Sequence, residues 1–371
     1  MFSRILNLKN CTRKAIDMKI KEIEYYTITM PLTIPYTIAY ETVSETTNII
    51  LKIITDDGIT GWGCAAPDKV VTGENPEDVV NHLENVILDL LKGERPFQIA
   101  KFNHLIKHVC KKASSTLAMV DMALYDILAR KADIPLYQLL GGYRKTIRTS
   151  ITIGILPLEV TIEKARKYLK EGFTIIKLKG GLNKEQDIEK VLLLREKLGN
   201  EFILRFDANQ GYSAKESIDF INRTKKAAIE IFEQPTCITS EEKLGHVTQQ
   251  IEIPVMADES IKTLKDAYRL ASNDLIDMVN IKLMKVGGIF ESQHINSVAK
   301  AANMEVMVGC LDECALGISA GLHFALSRAN IEFADLDGHL DLIGDPFTGL
   351  FNLKQGVLYP ADAAGLGDIK I

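Results

Sequence analysis

The chain has 371 residues, of which 46% are hydrophobic and 25% are charged, and its formal net charge is −5 at pH 7. This length favours two domains, and the composition is that of an ordinary folded protein. The acidic balance excludes the basic face that a nucleic-acid-binding protein needs. No apolar run reaches the roughly 18 residues of a membrane span. Six scattered cysteines without a Cys-x-x-Cys pair indicate reduced thiols and a cytoplasmic protein.

The N-terminal part of the chain predicts a short extension and then an α+β domain. Residues 1–17 are basic and lack the apolar core of a secretory signal, so we expect a disordered extension there. Residues 18–143 are predicted to form an N-terminal α+β capping domain. Two strand patterns in it flank an irregular segment over 31–47, which we expect to be a mobile loop. A long helix is predicted from Ser114 to the glycine pair Gly141–Gly142.

Residues 144–338 alternate between short β-rich runs and helical stretches. The eight β-rich runs are TSITIGI, TIIKLKG, FILRFDAN, IEIFEQP, PVMADES, MVNIKLMKVGG, EVMVGC and IEFADLD. Alternation of strand and helix predicts a parallel sheet with crossover helices, and eight units predict a closed (β/α)8 barrel of the TIM type. Residues 339–371 contain no ninth unit, so we expect them to return to the capping domain and complete it.

Three carboxylates stand at the ends of three successive predicted strands. They are Asp207, Glu233 and Asp258. Since the carboxyl ends of barrel strands meet at one mouth, these groups would repel one another unless a cation lay among them. Oxygen ligands without His or Cys favour Mg²⁺, with Mn²⁺ possible, over Zn²⁺. The alternative is that each caps a helix or pairs with a lysine, which is a weaker explanation for all three in register. We expect one Mg²⁺ per subunit.

Lysines flank this carboxylate triplet in the sequence. Lys179 and Lys282 end the second and sixth predicted strands, which lie on opposite sides of an eight-stranded barrel. Lys177 shares a strand face with Lys179, because side chains two residues apart point the same way. A lysine near a divalent cation and a second lysine is pushed toward its neutral form and can act as a base. The alternative is that the lysines only pair with carboxylates, an interpretation that suits Lys184 and Lys285, which we expect to face solvent.

Taken together, these motifs resemble one branch of a known superfamily. The matching stretches are KLK (177–179), DAN (207–209), EQP (233–235), ADES (257–260), NIKLMKVGG (280–288) and the helix AMVDMALYDILARKADIPLYQLLGG. The set resembles the muconate-lactonizing branch of the enolase superfamily. The resemblance implies that the carboxylate triplet holds the metal and that Lys179 and Lys282 are the two catalytic bases. It also implies that Lys177 and the metal stabilise an ene-diolate formed from the substrate.

Within that branch the chain is most similar to the dipeptide epimerases. The resemblance implies that Asp335 and Asp337 hold the α-ammonium of a dipeptide substrate, which suits two carboxylates on one strand face. The alternative is that Asp337 only begins an Asp-Gly turn. Glu313, beyond the seventh strand, also matches. The resemblance therefore implies an isomerase that inverts the Cα of the C-terminal residue of an L,L-dipeptide.

The chain departs from the Ala-Glu-specific epimerases at two positions. The resemblance places Glu41 at a position where those enzymes have an Arg. It places Asp312 at a position where they tend to have an apolar residue. Both changes make the substrate's side-chain pocket more acidic, so we expect a basic or neutral second residue rather than Glu.

Three other functions remain open from the sequence. A cycloisomerase or lyase of the same superfamily, of the muconate lactonizing or o-succinylbenzoate synthase type, would not need the Asp335–Asp337 pair. An acid-sugar dehydratase would need a histidine at a strand end, but His246, His294 and His323 lie in helical stretches. A non-catalytic binding protein would be expected to lack a ligand or a base, and none is missing. For the dipeptide epimerase we expect a homo-oligomer with a small-molecule dipeptide substrate and no nucleic-acid or membrane partner.

Overall fold

A computed structural model describes residues 17–37 and 42–370. The prediction of a disordered extension over 1–17 therefore falls, apart from Asp17, outside the described residues. None of the helices in those two ranges is long and apolar enough to cross a bilayer.

The secondary structure follows the predicted two-part organisation. The strands are β1 (Ile20–Thr37), β2 (Thr42–Thr55), β3 (Thr60–Ala65), β4 (Ile147–Arg148), β5 (Ile151–Ile153), β6 (Ile175–Lys179), β7 (Ile203–Asp207), β8 (Ile229–Glu233), β9 (Val255–Ala257), β10 (Met278–Lys282), β11 (Glu305–Gly309), β12 (Ile331–Asp335), β13 (Phe351–Lys354) and β14 (Val357–Pro360). The α-helices are α1 (Pro76–His82), α2 (Leu88–Leu91), α3 (Ile99–Val109), α4 (Ser114–Ala132), α5 (Leu136–Leu139), α6 (Leu158–Lys170), α7 (Lys184–Leu198), α8 (Ala214–Thr224), α9 (Glu241–Gln250), α10 (Leu264–Ser272), α11 (Leu283–Val286), α12 (Ile289–Ala301) and α13 (Ala315–Ala325). A π-helical turn (Leu83–Ile87) joins α1 to α2, and a 3₁₀ turn (Lys225–Ala227) follows α8.

The capping sheet is a three-stranded antiparallel sheet in the order β1-β2-β3. The prediction of an irregular loop is wrong for most of its length, because β1 continues to Thr37 and β2 begins at Thr42. Two prolines, Pro31 and Pro35, lie in this segment. They are tolerated because β1 is an edge strand, where a missing N–H costs no bond to a neighbour. The register shifts between Pro31 and Tyr36, which is where the strand accommodates them.

Helix α4 packs directly on the capping sheet, and it ends earlier than predicted. A Cβ added to Gly63 of β3 would lie 1.9 Å from the Met119 carbonyl oxygen, so only glycine permits this close approach. The helix ends at Ala132 because Asp133 adopts a left-handed conformation, φ 55°, at its C-cap. Pro135 then disfavours a helical conformation of the residue before it. The predicted single helix is therefore two, α4 and α5.

The eight predicted β/α units form one parallel sheet in the order β12-β11-β10-β9-β8-β7-β6-β5. Its two edges meet, since Thr149 forms a parallel bridge with Ala334 and the Ser150 N–H donates to the Ala334 carbonyl at 3.1 Å. The predicted (β/α)8 barrel is confirmed. In a ring of eight strands β6 and β10 are separated by three strands on either side, so their ends face each other across the barrel.

The C-terminal segment contacts both the barrel and the capping domain. The β13–β14 hairpin pairs with β4, immediately before the first barrel strand. Farther on, the Leu366 N–H donates to Asp126 of α4 at 2.8 Å, and the Ser319 hydroxyl of α13 donates to the Leu366 carbonyl at 2.7 Å. These bonds join α4 to the barrel helix α13.

One buried histidine predicts how the stability of the fold depends on pH. His323 of α13 is fully buried, and its Nδ1 accepts the Tyr137 N–H at 3.0 Å, so the neutral ring carries its proton on Nε2. Burial lowers the pKa of His323 to about 3. Because this pKa lies below the unfolded value, the unfolded chain binds more protons between these two pKa values. The contribution of His323 to the free energy of unfolding is therefore complete above the unfolded pKa. It is lost as the pH falls toward the folded pKa.

We expect His323→Asn to weaken this acid sensitivity, because the Asn oxygen can accept the Tyr137 N–H but cannot titrate. Between about pH 7 and about pH 5 the parent should lose about 2 kcal/mol more unfolding free energy than the variant. Urea unfolding at the two pH values measures the difference. Equal losses in both proteins would show that His323 does not carry the effect.

Candidate active site

The predicted site residues come together because neighbouring strands are in register at their carboxyl ends. Lys179 pairs with Asp207 across β6 and β7, and Asp207 pairs with Glu233 across β7 and β8. Beyond these ends lies a cavity of about 380 Å³ between the barrel and the capping domain. The predicted residues that line it are Lys177, Lys179, Asp258, Lys282, Asp312, Asp335 and Asp337.

Lys177 is the central cation of the site. Its Nζ lies 3.2 Å from Asp207 Oδ2, 2.8 Å from Glu233 Oε2 and 2.9 Å from Asp335 Oδ2. Burial opposes the charge of this ammonium, but the carboxylates of Asp335, Glu233 and Asp207 outweigh it and hold the pKa of Lys177 well above its ordinary value. Lys177 is therefore suited to supply positive charge and unsuited to accept a proton.

Asp258 is held between two lysines. Its Oδ2 lies 2.8 Å from the Lys282 Nζ, and its Oδ1 lies 2.5 Å from the Lys285 Nζ. Burial works to lower the pKa of Lys282, but the Asp258 carboxylate outweighs it and raises that pKa well above its ordinary value. The lowered lysine pKa expected from the sequence depends on a cation among the carboxylates, and it stays a prediction.

The two lysines expected to face solvent behave differently. Lys285 is 1% exposed and also donates to the Asn280 carbonyl at 3.1 Å, so the prediction is wrong for this residue. It lies in the short helix α11, directly after β10, where the chain turns back over the Asp258 carboxylate. Lys184 is partly exposed and pairs with Asp219 on the outer helices.

Lys179 is the lysine of the site without a close carboxylate. Among the described residues no acidic oxygen lies within 4 Å of its Nζ, in contrast to Lys177 and Lys282. Instead the nitrogen lies 5.6 Å from the centre of the Tyr36 ring, which belongs to the capping strand β1. Lys179 at the end of β6 and Lys282 at the end of β10 thus lie on opposite sides of the barrel mouth.

The three carboxylates predicted to bind metal are all buried. Asp207, Glu233 and Asp258 are at most 2% exposed. In the part of the chain that the structure describes, no three His, Cys, Asp or Glu side chains are arranged around one point as in a preformed metal site. The reason is that lysine ammonium groups contact all three carboxylates.

The chemistry of the donor set nevertheless fits a hard divalent cation. Two oxygens that lack a hydrogen-bond partner are buried beside the triplet, Asn209 Oδ1 and Glu259 Oε2, and both residues line the cavity. By formal charge, six carboxyl groups stand against four lysines here, an excess of two: Asp207, Glu233, Asp258, Glu259, Asp335 and Asp337 against Lys177, Lys179, Lys282 and Lys285. An oxygen-only set with this excess suits Mg²⁺.

Asp335 and Asp337 lie next to the lysine-carboxylate cluster. Asp335 accepts the Ser150 hydroxyl at 2.5 Å through Oδ1 and contacts Lys177 through Oδ2. Asp337 Oδ2 accepts the Thr152 N–H at 2.6 Å. Burial, followed by the charge of Asp335, raises the pKa of Asp337 to about 7. The main chain of Asp337 also forms the turn that was the alternative, since its carbonyl accepts the Leu340 N–H at 2.9 Å, while its side chain lines the cavity.

The remaining predicted residues separate into three cases. Asp312 lines the cavity, and its Oδ2 accepts the Tyr36 hydroxyl at 2.7 Å. Glu313 is 2% exposed, is absent from the cavity wall, and accepts the Leu311 N–H at 2.9 Å. Glu41 lies outside the described residues.

Several residues of the site were not predicted. Asn280 donates to Glu233 Oε1 at 2.8 Å, and Asn209 donates to Glu259 Oε1 at 3.3 Å. Both asparagines belong to the matching motifs DAN and NIK, so their place beside charged site residues was the signal that could have identified them. Tyr36 had no signal of its own, because its role depends on the path of the capping strand.

A barrel with carboxylates and lysines at the carboxyl ends of its strands, closed by a separate α+β domain, is the architecture of the enolase superfamily. Residues 160–368 match the family described as "Enolase C-terminal domain-like". Residues 22–141 match "Mandelate racemase / muconate lactonizing enzyme, N-terminal domain". The chain therefore belongs to the mandelate racemase and muconate lactonizing enzyme family, as its motifs predicted.

Within this family the chain is similar to dipeptide epimerases. It is 37% identical to the "Hydrophobic dipeptide epimerase" of Enterococcus faecalis, over 94% of this chain and 99% of that protein. It is 38% identical to the "L-Ala-D/L-Glu epimerase" of Bacillus subtilis, over 95% and 97%. It is 39% identical to the "L-Lys-D/L-Arg epimerase" of Desulforapulum autotrophicum, over 94% and 99%. Near-equal identity to relatives with different substrates does not decide the substrate of this chain.

Solved structures give the same grouping. The substrate-liganded L-Ala-D/L-Glu epimerase of Bacillus subtilis has a TM-score of 0.92 and 37% identity, over 94% of this chain and 98% of that chain. The Enterococcus faecalis dipeptide epimerase with Mg and L-Leu-L-Tyr has a TM-score of 0.92 and 37% identity, over 94% and 99%. The Methylococcus capsulatus dipeptide epimerase with Mg and L-Arg-D-Lys has a TM-score of 0.89 and 34% identity, over 94% and 99%.

Proposed function

We propose that this chain is a metal-dependent dipeptide epimerase. It inverts the Cα of the C-terminal residue of an L,L-dipeptide by moving a proton from one face of that carbon to the other, through an ene-diolate. The observation that carries the proposal is the placement of Lys179 and Lys282 on opposite sides of one cavity. A base on each face inverts the centre, whereas a single base would only exchange the proton.

The two lysines exchange roles with the direction of the reaction. Lys179 removes the proton from one face, and the Lys282 ammonium returns one to the other face. In the reverse direction Lys282 is the base and Lys179 the acid. Proton transfer at the reacting carbon by positioned groups of this kind is general acid–base catalysis.

The carbon acid is weak until the charge that develops on the substrate carboxylate is neutralised. Asp207, Glu233 and Asp258 would hold Mg²⁺, or alternatively Mn²⁺, and the bound cation supplies that neutralisation. Lys177 adds a fixed positive charge in the same buried region, where electrostatic stabilisation is strong. The Mg-bound relatives with dipeptides support this assignment.

The function is tested by a deuterium-exchange assay. The protein with Mg²⁺ is incubated with pooled L,L-dipeptides in D₂O, and mass spectrometry identifies which of them gain one deuterium. Chiral chromatography of those dipeptides then measures inversion at the C-terminal residue. Deuterium uptake with inversion supports an epimerase, whereas no uptake into any dipeptide would contradict the proposal and favour the cycloisomerase or lyase alternative.

Asp335 and Asp337, which we expect to hold the α-ammonium of the substrate, predict that turnover depends on the substrate's free amine. Asp335→Asn should weaken turnover of free dipeptides by about 10- to 150-fold, the usual range for a charged hydrogen bond. N-acylated dipeptides, which carry no cation there, should lose much less. Because Asp335 also contacts Lys177, Asp337→Asn is the second variant, and it should show the same difference between the two substrates. Equal losses for free and acylated substrates would place the ammonium elsewhere.

The acidic lining of the cavity predicts substrate preference. Asp312 and Asp341 line the cavity, and Glu41 lies between β1 and β2 of the capping domain in sequence. A second residue with an acidic side chain would meet like charge, whereas a basic or neutral one would not. We expect a higher kcat/KM for L-Ala-L-Lys and a neutral L-Ala dipeptide than for L-Ala-L-Glu. A clear advantage for L-Ala-L-Glu would mean that these residues do not read the side chain.

Three further expectations belong to the proposal. The enzyme acts in the cytoplasm as a homo-oligomer, and six scattered cysteines without a Cys-x-x-Cys pair suit that reducing compartment. Light scattering measures the oligomeric state. The chain divides into a capping domain at 18–143, a barrel at 144–338 and a returning segment at 339–371. The bridges between Leu32 and Leu342 and between Pro135 and Gly365 support that return.

A further inference from the structure

The described ends of β1 and β2 contact two barrel loops at once. On one side the Ile155 N–H, after the first barrel strand, donates to the Thr37 carbonyl at 2.9 Å. On the other side Thr46 Oγ1 and Asn48 Nδ2 donate to the Asp312 carbonyl at 3.0 and 3.1 Å. The hairpin therefore spans the mouth of the barrel between its first and seventh strands.

Tyr36 lies in this hairpin and touches both loops. Its hydroxyl donates to Asp312 Oδ2 at 2.7 Å, and its ring centre is 5.6 Å from the Lys179 Nζ. A Cβ added to Gly154 would lie 2.9 Å from the Tyr36 Cβ, so any side chain at 154 would displace the tyrosine. The position of the ring is thus fixed by its contact with Gly154 and by the hydrogen bond to Asp312.

Lys179 needs a means of positioning that its two neighbours do not. The ammonium groups of Lys177 and Lys282 are fixed by carboxylates at 2.8–3.2 Å, but Lys179 has no such partner among the described residues. An aromatic face attracts a nearby cation. Unlike a carboxylate, it does not accept a proton in competition with the base. The Tyr36 ring provides that face.

We infer that Tyr36 is the positioning residue for Lys179, and that Asp312 acts by fixing the Tyr36 hydroxyl. The side chains of Tyr36 and Asp312 meet in one hydrogen bond. The inference rests on the proposed function, since it assigns Lys179 to one face of the substrate carbon.

The test separates the two faces of that carbon. Deuterium uptake without inversion is measured at early times, starting from the L,L isomer and separately from the L,D isomer. Lys179→Ala first identifies the isomer whose exchange depends on Lys179. Tyr36→Phe, which retains the ring but loses its anchor, and Asp312→Leu should each slow exchange of that isomer by about 5- to 30-fold. Exchange of the other isomer should change by less than about twofold.

A double variant and a control complete the design. Because Tyr36 and Asp312 act through one hydrogen bond, the double variant should exchange deuterium no more slowly than the slower single variant. Tyr25→Phe is the matched control: Tyr25 is also in β1, and its hydroxyl also donates to a carboxylate, Glu84, at 2.5 Å, but away from the cavity. It should leave both exchange rates unchanged.

The outcomes distinguish failure of the inference from failure of the function. Equal slowing of both isomers, no slowing of either, or multiplying effects in the double variant would each overturn the role of Tyr36. If the unmodified protein exchanges no dipeptide at all, the proposed function itself fails.

Discussion

Lys179→Ala and Lys282→Ala should each abolish epimerisation of the substrate dipeptide. Removal of one positioned acid–base group costs on the order of 10²- to 10⁴-fold in rate, and inversion needs both lysines in every turnover. Each variant should still exchange deuterium into one isomer, because the remaining lysine can remove and return a proton on its own face. The two variants should therefore differ in which isomer gains deuterium.

Lys184→Ala is the matched control for the loss of a lysine. Lys184 pairs with Asp219 on the outer helices and does not line the cavity, so its variant should keep full activity. Chiral chromatography measures epimerisation, and mass spectrometry measures exchange. Full epimerase activity in either base variant would refute the two-base mechanism.

Removal of the metal should abolish activity and lower stability. A cation present at 100 times its dissociation constant stabilises the folded chain by about 2.7 kcal/mol, so Mg²⁺ should raise the thermal midpoint of the chelator-treated protein. Glu233→Gln should remove most of this shift. In a crystal grown with Mg²⁺, the oxygens of Asp207, Glu233 and Asp258 should lie about 2.0–2.2 Å from one ion.

A buried carboxylate outside the site provides the control for the metal. Asp121 of α4 is buried, accepts the Ile289 and Phe290 N–H groups and does not line the cavity. Asp121→Asn should lower the overall stability but keep the Mg²⁺-dependent shift. An unchanged Mg²⁺-dependent shift of the thermal midpoint in Glu233→Gln would contradict the assignment of these carboxylates as metal ligands. Carboxylates that diverge around the ion in the crystal would contradict it as well.

The sequence predicted the barrel and its charged strand ends because both depend on local rules. Parallel strands of similar length end at one edge, so Asp207, Glu233 and Lys282 could be placed together from strand ends alone. Contacts across the barrel do not follow from such rules. Lys177 of β6 lies between Asp207, Glu233 and Asp335, which belong to three other strands, one of them distant in sequence. No local pattern encodes these contacts.

The errors have the same origin. Lys285 was expected in solvent, but the turn after β10 brings it onto Asp258. Residues 31–47 were expected to be a loop because their pattern is irregular, although an edge strand accepts the two prolines in it. Tyr36 could not be identified because its partners, Lys179 and Asp312, lie on the other domain.

The bond between Asp126 and Leu366 has a consequence for how the protein is made. Asp126 is buried in α4. Its Oδ2 accepts from the Trp62 N–H and the Arg130 Nε–H of the capping domain, and its Oδ1 accepts from the Leu366 N–H, 240 residues later in the chain. As the ribosome synthesises the chain, the capping domain emerges long before this last donor exists. The bond to Oδ1 therefore forms only after the whole barrel has been translated, so the capping domain reaches its full set of buried hydrogen bonds when translation has passed residue 366.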